Sequence, residues 1–266
     1  MAMKNPFDLT GKVAIVTGGS QGIGEGIALG LANAGADVAV AARTAQSVAK
    51  VTEAIKAMGR RAIGVPTDVS NEEQVNNLIA ETVRQLGRVD IVVNNAGASQ
   101  ALSFRRIPVL ELRPDEFDAN IALNLKSVYY MCRAAVPHMQ KQGGGSIINI
   151  SSSVARDNTP PLAGFGVYAA AKAGVIALTR ALAPELGPTI RVNCILPGPV
   201  NNSRTRNRSP ELLEILQRQI AMKRPGEPED LAGAVVYFAS DASAWTTGAS
   251  LSIDGGLRSY EDTAKR

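Results

Sequence analysis

Aromatic side chains are scarce in this chain: 5 Phe, 5 Tyr and 1 Trp among 266 residues. Proteins that grip single-stranded nucleic acid do so with rows of stacked aromatics, so no nucleic-acid partner is expected. Histidine and cysteine are scarcer still, at 1 and 2, too few ligands for a structural zinc site, and no metal is expected. Cys132 in "YYMCRAAV" and Cys194 in "RVNCILPG" lie in apolar stretches and read as reduced core residues of a cytoplasmic protein. The lone His138 falls late in a helical stretch, where the helix dipole favours a surface cation. The N-terminal stretch lacks the apolar core of a secretory signal. No run approaches the roughly 18 apolar residues that span a bilayer, so no membrane association is expected. Strong one-sided charge is also missing. A net charge of +4 suits a soluble surface and leaves room for a local basic pocket that takes a phosphate.

What the chain does have is glycine, 25 residues of it, and a regular alternation of β-branched runs with helical stretches. "KVAIVT" (12–17), "DVAVAA" (37–42), "RAIGVPTD" (61–68), "VDIVVNNAG" (89–97), "SIINISS" (146–152), "TIRVNCILP" (189–197) and "SLSIDGG" (250–256) read as strands. Helices are expected at 22–35, 45–58, 71–87, about 115–141, 166–180, within 203–220 and at 229–240. Strands apolar on both faces and separated by helices call for a parallel sheet covered on each side. With no linker and no repeat, the chain reads as one α/β domain over 1–266. In such sheets ligands bind beyond the carboxyl ends of the strands. The polar and glycine-rich stretches fall there: Thr17–Gly24, Ala42–Arg43, Asp68, Asn94–Gly97, Ser151–Ser153 and Pro197–Asn202.

The first strand meets its helix through "TGGSQGIG" (17–24). Here the backbone turns sharply and approaches any ligand closely, which glycine permits for want of a Cβ. A pyrophosphate fits the unpaired N–H groups at the helix start. The glycines fall at Gly18, Gly22 and Gly24, a spacing other than G-x-G-x-x-G. T-G-x-x-x-G-x-G is followed in order by "NNAG" (94–97), a serine before Tyr168-x-x-x-Lys172, and "PG" (197–198). Together these motifs resemble the classical branch of the short-chain dehydrogenase/reductase family, from about Leu9 to Gly256. The resemblance implies a doubly wound, seven-stranded parallel Rossmann sheet with helices on both faces. It also implies a nicotinamide dinucleotide and hydride transfer at a carbonyl or alcohol carbon.

An acidic residue closing the second strand would select NAD. Asp37 opens that strand instead, and Ala42 and Arg43 close it. With no carboxylate to repel a 2′-phosphate and a guanidinium to fork it, NADP(H) is the preferred cofactor and NAD(H) the alternative. The resemblance extends the cofactor set to Gly18, Ser20, Gln21, Gly22, Ile23, Gly24, Arg43, Thr44, Asp68, Val69, Asn95, Ala96, Gly97, Tyr168, Lys172, Pro197, Gly198, Val200 and Asn202. It also gives Asn94 the part of bracing the sheet.

Tyr168 and Lys172 stand one helical turn apart and share a face. A phenol with a pKa of about 10 is a weak base at neutral pH, and a neighbouring ammonium favours the phenolate, so the Tyr168 pKa is expected to be lowered. The resemblance makes Tyr168 the general acid/base, with Lys172 also on the nicotinamide ribose. It makes Ser152 the hydrogen-bond donor to the substrate oxygen, with Ser153 the alternative in "SSS". Asn124 falls in a helical stripe with Phe117, Ile121, Val128 and Met131 or Cys132, where a polar group needs a partner. Either it bonds backbone or, by the resemblance, it holds a water that relays protons; both can hold. "RDNTPPLAGFG" (156–166) is longer than usual and reshapes one substrate wall. Residues 201–220 resemble a substrate lid whose Arg204, Arg206 and Arg208 are solvated or greet an anionic substrate. The partner is a small carbonyl or alcohol compound, such as an acyl thioester, a sugar or a steroid. The resemblance implies a homotetramer joined through the long helices. The competing class is a dinucleotide-binding sensor without turnover.

Overall fold

The computed structural model describes residues 5–98, 107–156, 164–201 and 210–257. Seven strands form one sheet: β1 (Val13–Thr17), β2 (Asp37–Ala42), β3 (Ala62–Pro66), β4 (Ile91–Asn94), β5 (Gly145–Ile150), β6 (Ile190–Pro197) and β7 (Ser250–Ile253). Their order is β3-β2-β1-β4-β5-β6-β7, and every pairing is parallel. Among the described residues eight α-helices intervene: α1 (Gly22–Asn33), α2 (Ala45–Ala57), α3 (Glu72–Leu86), α4 (Pro114–Ile121), α5 (Ser127–Lys141), α6 (Gly166–Leu186), α7 (Pro210–Gln219) and α8 (Ala232–Ala239). This is the doubly wound arrangement that the alternation foretold.

All five residues of β1 are buried, because successive side chains enter opposite layers. Ala14 and Val16 join Ile27, Leu31, Val235 and Phe238 on the face covered by α1, α2 and α8. Val13 and Ile15 join Leu78, Val128, Met131 and Val175 on the face covered by α3, α5 and α6. The strand order reverses between β1 and β4, and the crevice beyond their carboxyl ends is the place where such sheets take ligands. At the opposite edge the charges are paired internally. Arg61 Nε donates to Asp37 Oδ2 at 2.7 Å, and Arg88 forks onto Asp90 at 2.7 and 2.6 Å. Asp37 therefore opens β2 as a structural carboxylate, far from the cofactor edge.

Two expectations need correction. α6 runs past Arg180 to Leu186, and its 21 residues are by length and composition apolar enough to cross a membrane. Here it covers the sheet instead, with Val175, Thr179 and Ala183 buried. The second correction concerns the helical stripe. Phe117 is 42% exposed, while Glu116, Asn120 and Asn124 are buried. The cause is a wide π-helical turn, Ala122–Lys126, between α4 and α5, in which the Ser127 N–H reaches back to Ala122 O. The Ser127 hydroxyl donates to the Leu123 carbonyl at 2.6 Å. A wide turn holds one residue more than an α turn. The inward face upstream therefore lies one residue earlier than a regular period predicts.

Candidate active site

The glycine turn is braced from below. The Thr17 hydroxyl accepts from the backbone of Asn95 and Ala96 at 3.0 and 3.1 Å, and Asn95 Nδ2 donates to Thr17 O at 2.9 Å. Gly18 has φ +63°, and a Cβ there would lie 3.0 Å from both Ala96 Cα and Asn95 Nδ2. A Cβ on Gly24 would overlap the Gly18 carbonyl. α1 starts with no side-chain cap from Gln21, and its first intrahelical bond is Glu25 N–H to Gln21 O. The N–H groups of Gly22, Ile23 and Gly24 are left to a ligand, which suits a pyrophosphate. The residues present thus fit a dinucleotide.

At the end of β2, Arg43 and Thr44 are exposed. Arg43 has no hydrogen bond or ion pair among the described residues, while Thr44 is tied to Ser47 at 2.7 Å. After β3, Asp68 Oδ1 accepts from the Ser70 hydroxyl at 2.6 Å, and Val69 is buried. Gly198 N–H donates to Ile253 O at 3.0 Å, and Asn201 N–H to Gly226 O at 2.8 Å, which fixes the loop of Pro197, Gly198 and Val200 beside β7. Ser20 is half-buried in the turn. Asn202, Arg204, Arg206 and Arg208 lie outside the described residues, as does most of the long loop after Arg156.

Four side chains converge where β4, β5 and α6 meet. Lys172 is buried to 2% exposure, and its ammonium donates to Ile150 O at 2.8 Å. The same nitrogen lies 5.9 Å from the centroid of the Tyr168 ring. The Ser152 side chain is near enough to Tyr168 to favour its phenolate, whereas Ser151 is turned onto Lys172 O at 2.8 Å and Ser153 is buried. Ser152 is thus the serine of "SSS" brought to the phenol. The Asn124 side chain brackets Ala98, accepting from its N–H and donating to its carbonyl, both at 3.0 Å. That is the backbone-bonded arrangement. A Cβ on Gly97 would lie 2.8 Å from Asn124 Oδ1 and 3.1 Å from Lys172 Nζ, so glycine alone lets those two groups stand so close.

The electrostatics reverse one expectation. Burial pushes the Tyr168 phenol up from its ordinary value, against the downward pull of Ser152. Burial also pushes Lys172 down to about 8. The ammonium is held by Ile150 and lies over the ring, and desolvation outweighs its attraction for a phenolate. Without a bound dinucleotide the pair is therefore a neutral acid beside a cation that is close to its own titration.

One network was not read from the sequence. Asn94 Nδ2 donates to Asn149 Oδ1 at 2.8 Å, and Asn149 Nδ2 donates to Thr179 Oγ1 at 2.9 Å. It joins β4, β5 and α6 behind Lys172. The resemblance pointed to Asn94 as a brace of the sheet, but not to Asn149 or Thr179 as its partners. Cys132 and Cys194 are free and buried, with thiols pushed up to about 12 and about 11 by burial, as befits inert core residues.

A parallel sheet with a dinucleotide cradle at its reversal point and a Ser–Tyr–Lys cluster beside it defines a nucleotide-dependent oxidoreductase. The sequence matches the family profile described as enoyl-(acyl carrier protein) reductase over residues 18–258. It is 40% identical over 252 residues to 3-oxoacyl-(acyl-carrier-protein) reductase FabG of Pseudomonas aeruginosa, covering 94% of this chain and 99% of that one. It is 40% identical over 254 residues to the uncharacterized oxidoreductase MT0954 of Mycobacterium tuberculosis, covering 94% of each. A solved 7α-hydroxysteroid dehydrogenase, complexed with NADH and 7-oxo glycochenodeoxycholic acid, superposes with TM-score 0.89 at 32% identity, covering 97% of this chain and 99% of that one. The chain belongs to the short-chain dehydrogenase/reductase family. It is a hydride-transfer oxidoreductase that uses a nicotinamide dinucleotide.

Proposed function

We propose that the protein is a cytoplasmic carbonyl reductase/alcohol dehydrogenase that prefers NADP(H), with Tyr168 as the general acid/base. The observation that carries this reading is the convergence of Ser152, Tyr168 and Lys172 at the sheet edge that bears the glycine turn. The glycine turn of Gly18, Gly22 and Gly24 would hold the dinucleotide, which would supply or take up the hydride exchanged with the substrate carbon. The chain's own residues handle the proton. Tyr168, held protonated by burial, would donate its proton to a carbonyl oxygen in reduction and take one back in oxidation. Ser152 hydrogen-bonds the same oxygen and stabilises the charge that gathers there. Lys172 contributes a cation below about pH 8, and Asn124 fixes the Ala98 backbone.

The NADP(H) preference rests on Arg43, exposed at the end of β2 where no carboxylate stands; one solved relative carries NADH. α7 (Pro210–Gln219) lies in the stretch that resembles a substrate lid. The homotetramer is supported by an apolar groove between the long helices, lined by Ile121, Leu125, Tyr129, Gly174, Leu178 and Ala181, which a second copy would cover. A monomeric mass by light scattering would refute it.

The test is turnover of ethyl acetoacetate, acetoacetyl-coenzyme A, cyclohexanone and a 7-oxo steroid with NADPH and NADH. Tyr168→Phe should lose at least about a hundredfold in kcat while binding the dinucleotide as before. Binding without turnover of any carbonyl by the unaltered protein would favour a sensor, and full activity in Tyr168→Phe would refute the proton role.

A further inference from the structure

Ser152 opens a single 3-10 turn, Ser153–Ala155, and Arg156 closes it. The turn is held by short-range bonds. The Ser152 side chain accepts from the Val154 N–H at 3.4 Å, and the Ala155 and Arg156 N–H groups return to Ser152 O and Ser153 O at 3.1 and 3.2 Å. The Arg156 side chain leaves this turn for a distant part of the chain. Its Nη1 donates to Asp254 Oδ2 at 2.7 Å and its Nη2 to Leu257 O at 3.1 Å. The Asp254 side chain is 7% and that of Arg156 24% exposed, so water screens the pair weakly. Removing the guanidinium would leave a buried carboxylate without its cation. The other carboxylate oxygen, Oδ1, accepts from the Gly256 N–H at 3.0 Å and the Leu257 N–H at 3.4 Å.

Asp254 thereby shapes a turn through Gly255 and Gly256, whose φ values of +65° and +73° only glycine adopts freely. The end of α7 hangs on that turn. Met222 N–H donates to Gly255 O at 3.0 Å and Ala221 N–H to Gly256 O at 3.2 Å, and Ile220 faces Leu257 in an antiparallel bridge. A Cβ on Gly256 would lie 2.9 Å from Ala221 Cβ, so the two segments are in contact. One guanidinium therefore stands between the serine turn and the seat of α7. We propose that Arg156 is a positioning residue for the reaction: it fastens the Ser152 turn to the Asp254–Leu257 turn, so that the aim of the serine and the seating of α7 are set together. The inference rests on the functional reading above, in which Ser152 bonds the substrate oxygen. Arg156 acts through that serine and takes no part in moving hydride or proton.

Arg156→Met keeps an unbranched side chain and removes the clasp. With ethyl acetoacetate as probe its kcat should fall by about tenfold to a hundredfold, the loss that a misplacement of about 1 Å brings. Its NADPH dissociation constant should stay within about twofold of wild type, since only the step after binding is touched. Arg156→Lys, which can still reach Asp254, should recover most of the rate. The sharpest readout is the cycle with Ser152→Ala. That variant alone should cost about a hundredfold, and adding Arg156→Met to it should cost less than about twofold more, because the two act as a unit. Hydrogen exchange at the Ala221 and Met222 amides should quicken about tenfold or more in Arg156→Met as the end of α7 opens locally. Losses that multiply in the double variant, unchanged exchange, or wild-type kcat in Arg156→Met would each overturn the proposal. If Arg156→Met does not fold, Asp254→Asn enters the same cycle, keeping the oxygen that accepts from Gly256 and Leu257 while dropping the charge. If Tyr168→Phe is fully active or Ser152→Ala costs nothing, the functional reading falls with this one. If both are impaired and the Ser152→Ala and Arg156→Met losses multiply, this inference alone falls.

Discussion

Replacing Lys172 by Met tests the burial of the ammonium without any substrate. Folding carries this cation from water, where its pKa is 10.5, into a site where it is pushed down to about 8. At about 1.4 kcal/mol per pH unit, the gap corresponds to roughly 3 kcal/mol of desolvation. Below pH 8 the lysine is protonated in both folded and unfolded chains, and folding bears the whole penalty. Between pH 8 and 10.5 the unfolded chain binds the proton more often than the folded one, so wild-type stability rises with pH. Near pH 10.5 the penalty has gone. Met carries no proton, and every other titrating group is common to both proteins. The stability of Lys172→Met minus that of wild type should therefore be largest at pH 7 and shrink by about 3 kcal/mol on reaching pH 10.5. Urea unfolding at matched protein concentration, repeated at each pH, measures this difference. Packing gained or lost by Met shifts the whole curve and leaves its slope untouched. A difference that stays flat from pH 7 to 10.5 would show that the ammonium is not desolvated.

Arg43→Ala should weaken NADPH by about tenfold or more and leave NADH nearly unchanged, as read by fluorescence titration; equal losses for both would refute the 2′-phosphate assignment. Gly24→Ala drives a methyl group into the Gly18 carbonyl and within 2.5 Å of Asn95 Nδ2. It should cost about 1–3 kcal/mol and abolish binding of both dinucleotides. Gly233→Ala, with nothing within 4 Å of the new carbon, is the control and should stabilise α8 by up to about 1 kcal/mol.

The parts of the fold legible in the sequence are those governed by local chemistry. β2 has the expected bounds, Asp37–Ala42, because its apolar run is bounded by Gly35 and by Arg43. The place of Asp37 is readable for the same reason, and its Arg61 partner lies at the head of the neighbouring strand. The π turn is not readable. "NIALNLKSV" fits a regular helix equally well, and the phase is set by what Asn124 grips across the site at Ala98. The Asn94–Asn149–Thr179 chain is hidden because its members are 55 and 30 residues apart. The direction of the Tyr168 shift runs against expectation because spacing reveals a neighbouring charge but not the loss of water around the phenol.

The π turn has a consequence for how this chain tolerates change in length. Deleting a residue from α3 would swing everything beyond the cut by about 100° and tear Leu78 and Ile79 from the core. Deleting Leu123 would merely absorb the surplus residue of the wide turn and leave Glu116 and Asn120 aimed as before. What changes there is reach, by about 1.5 Å along the axis. Gains and losses at this point of the chain thus adjust how far the rim stands from Asn124 without disturbing the layers beneath.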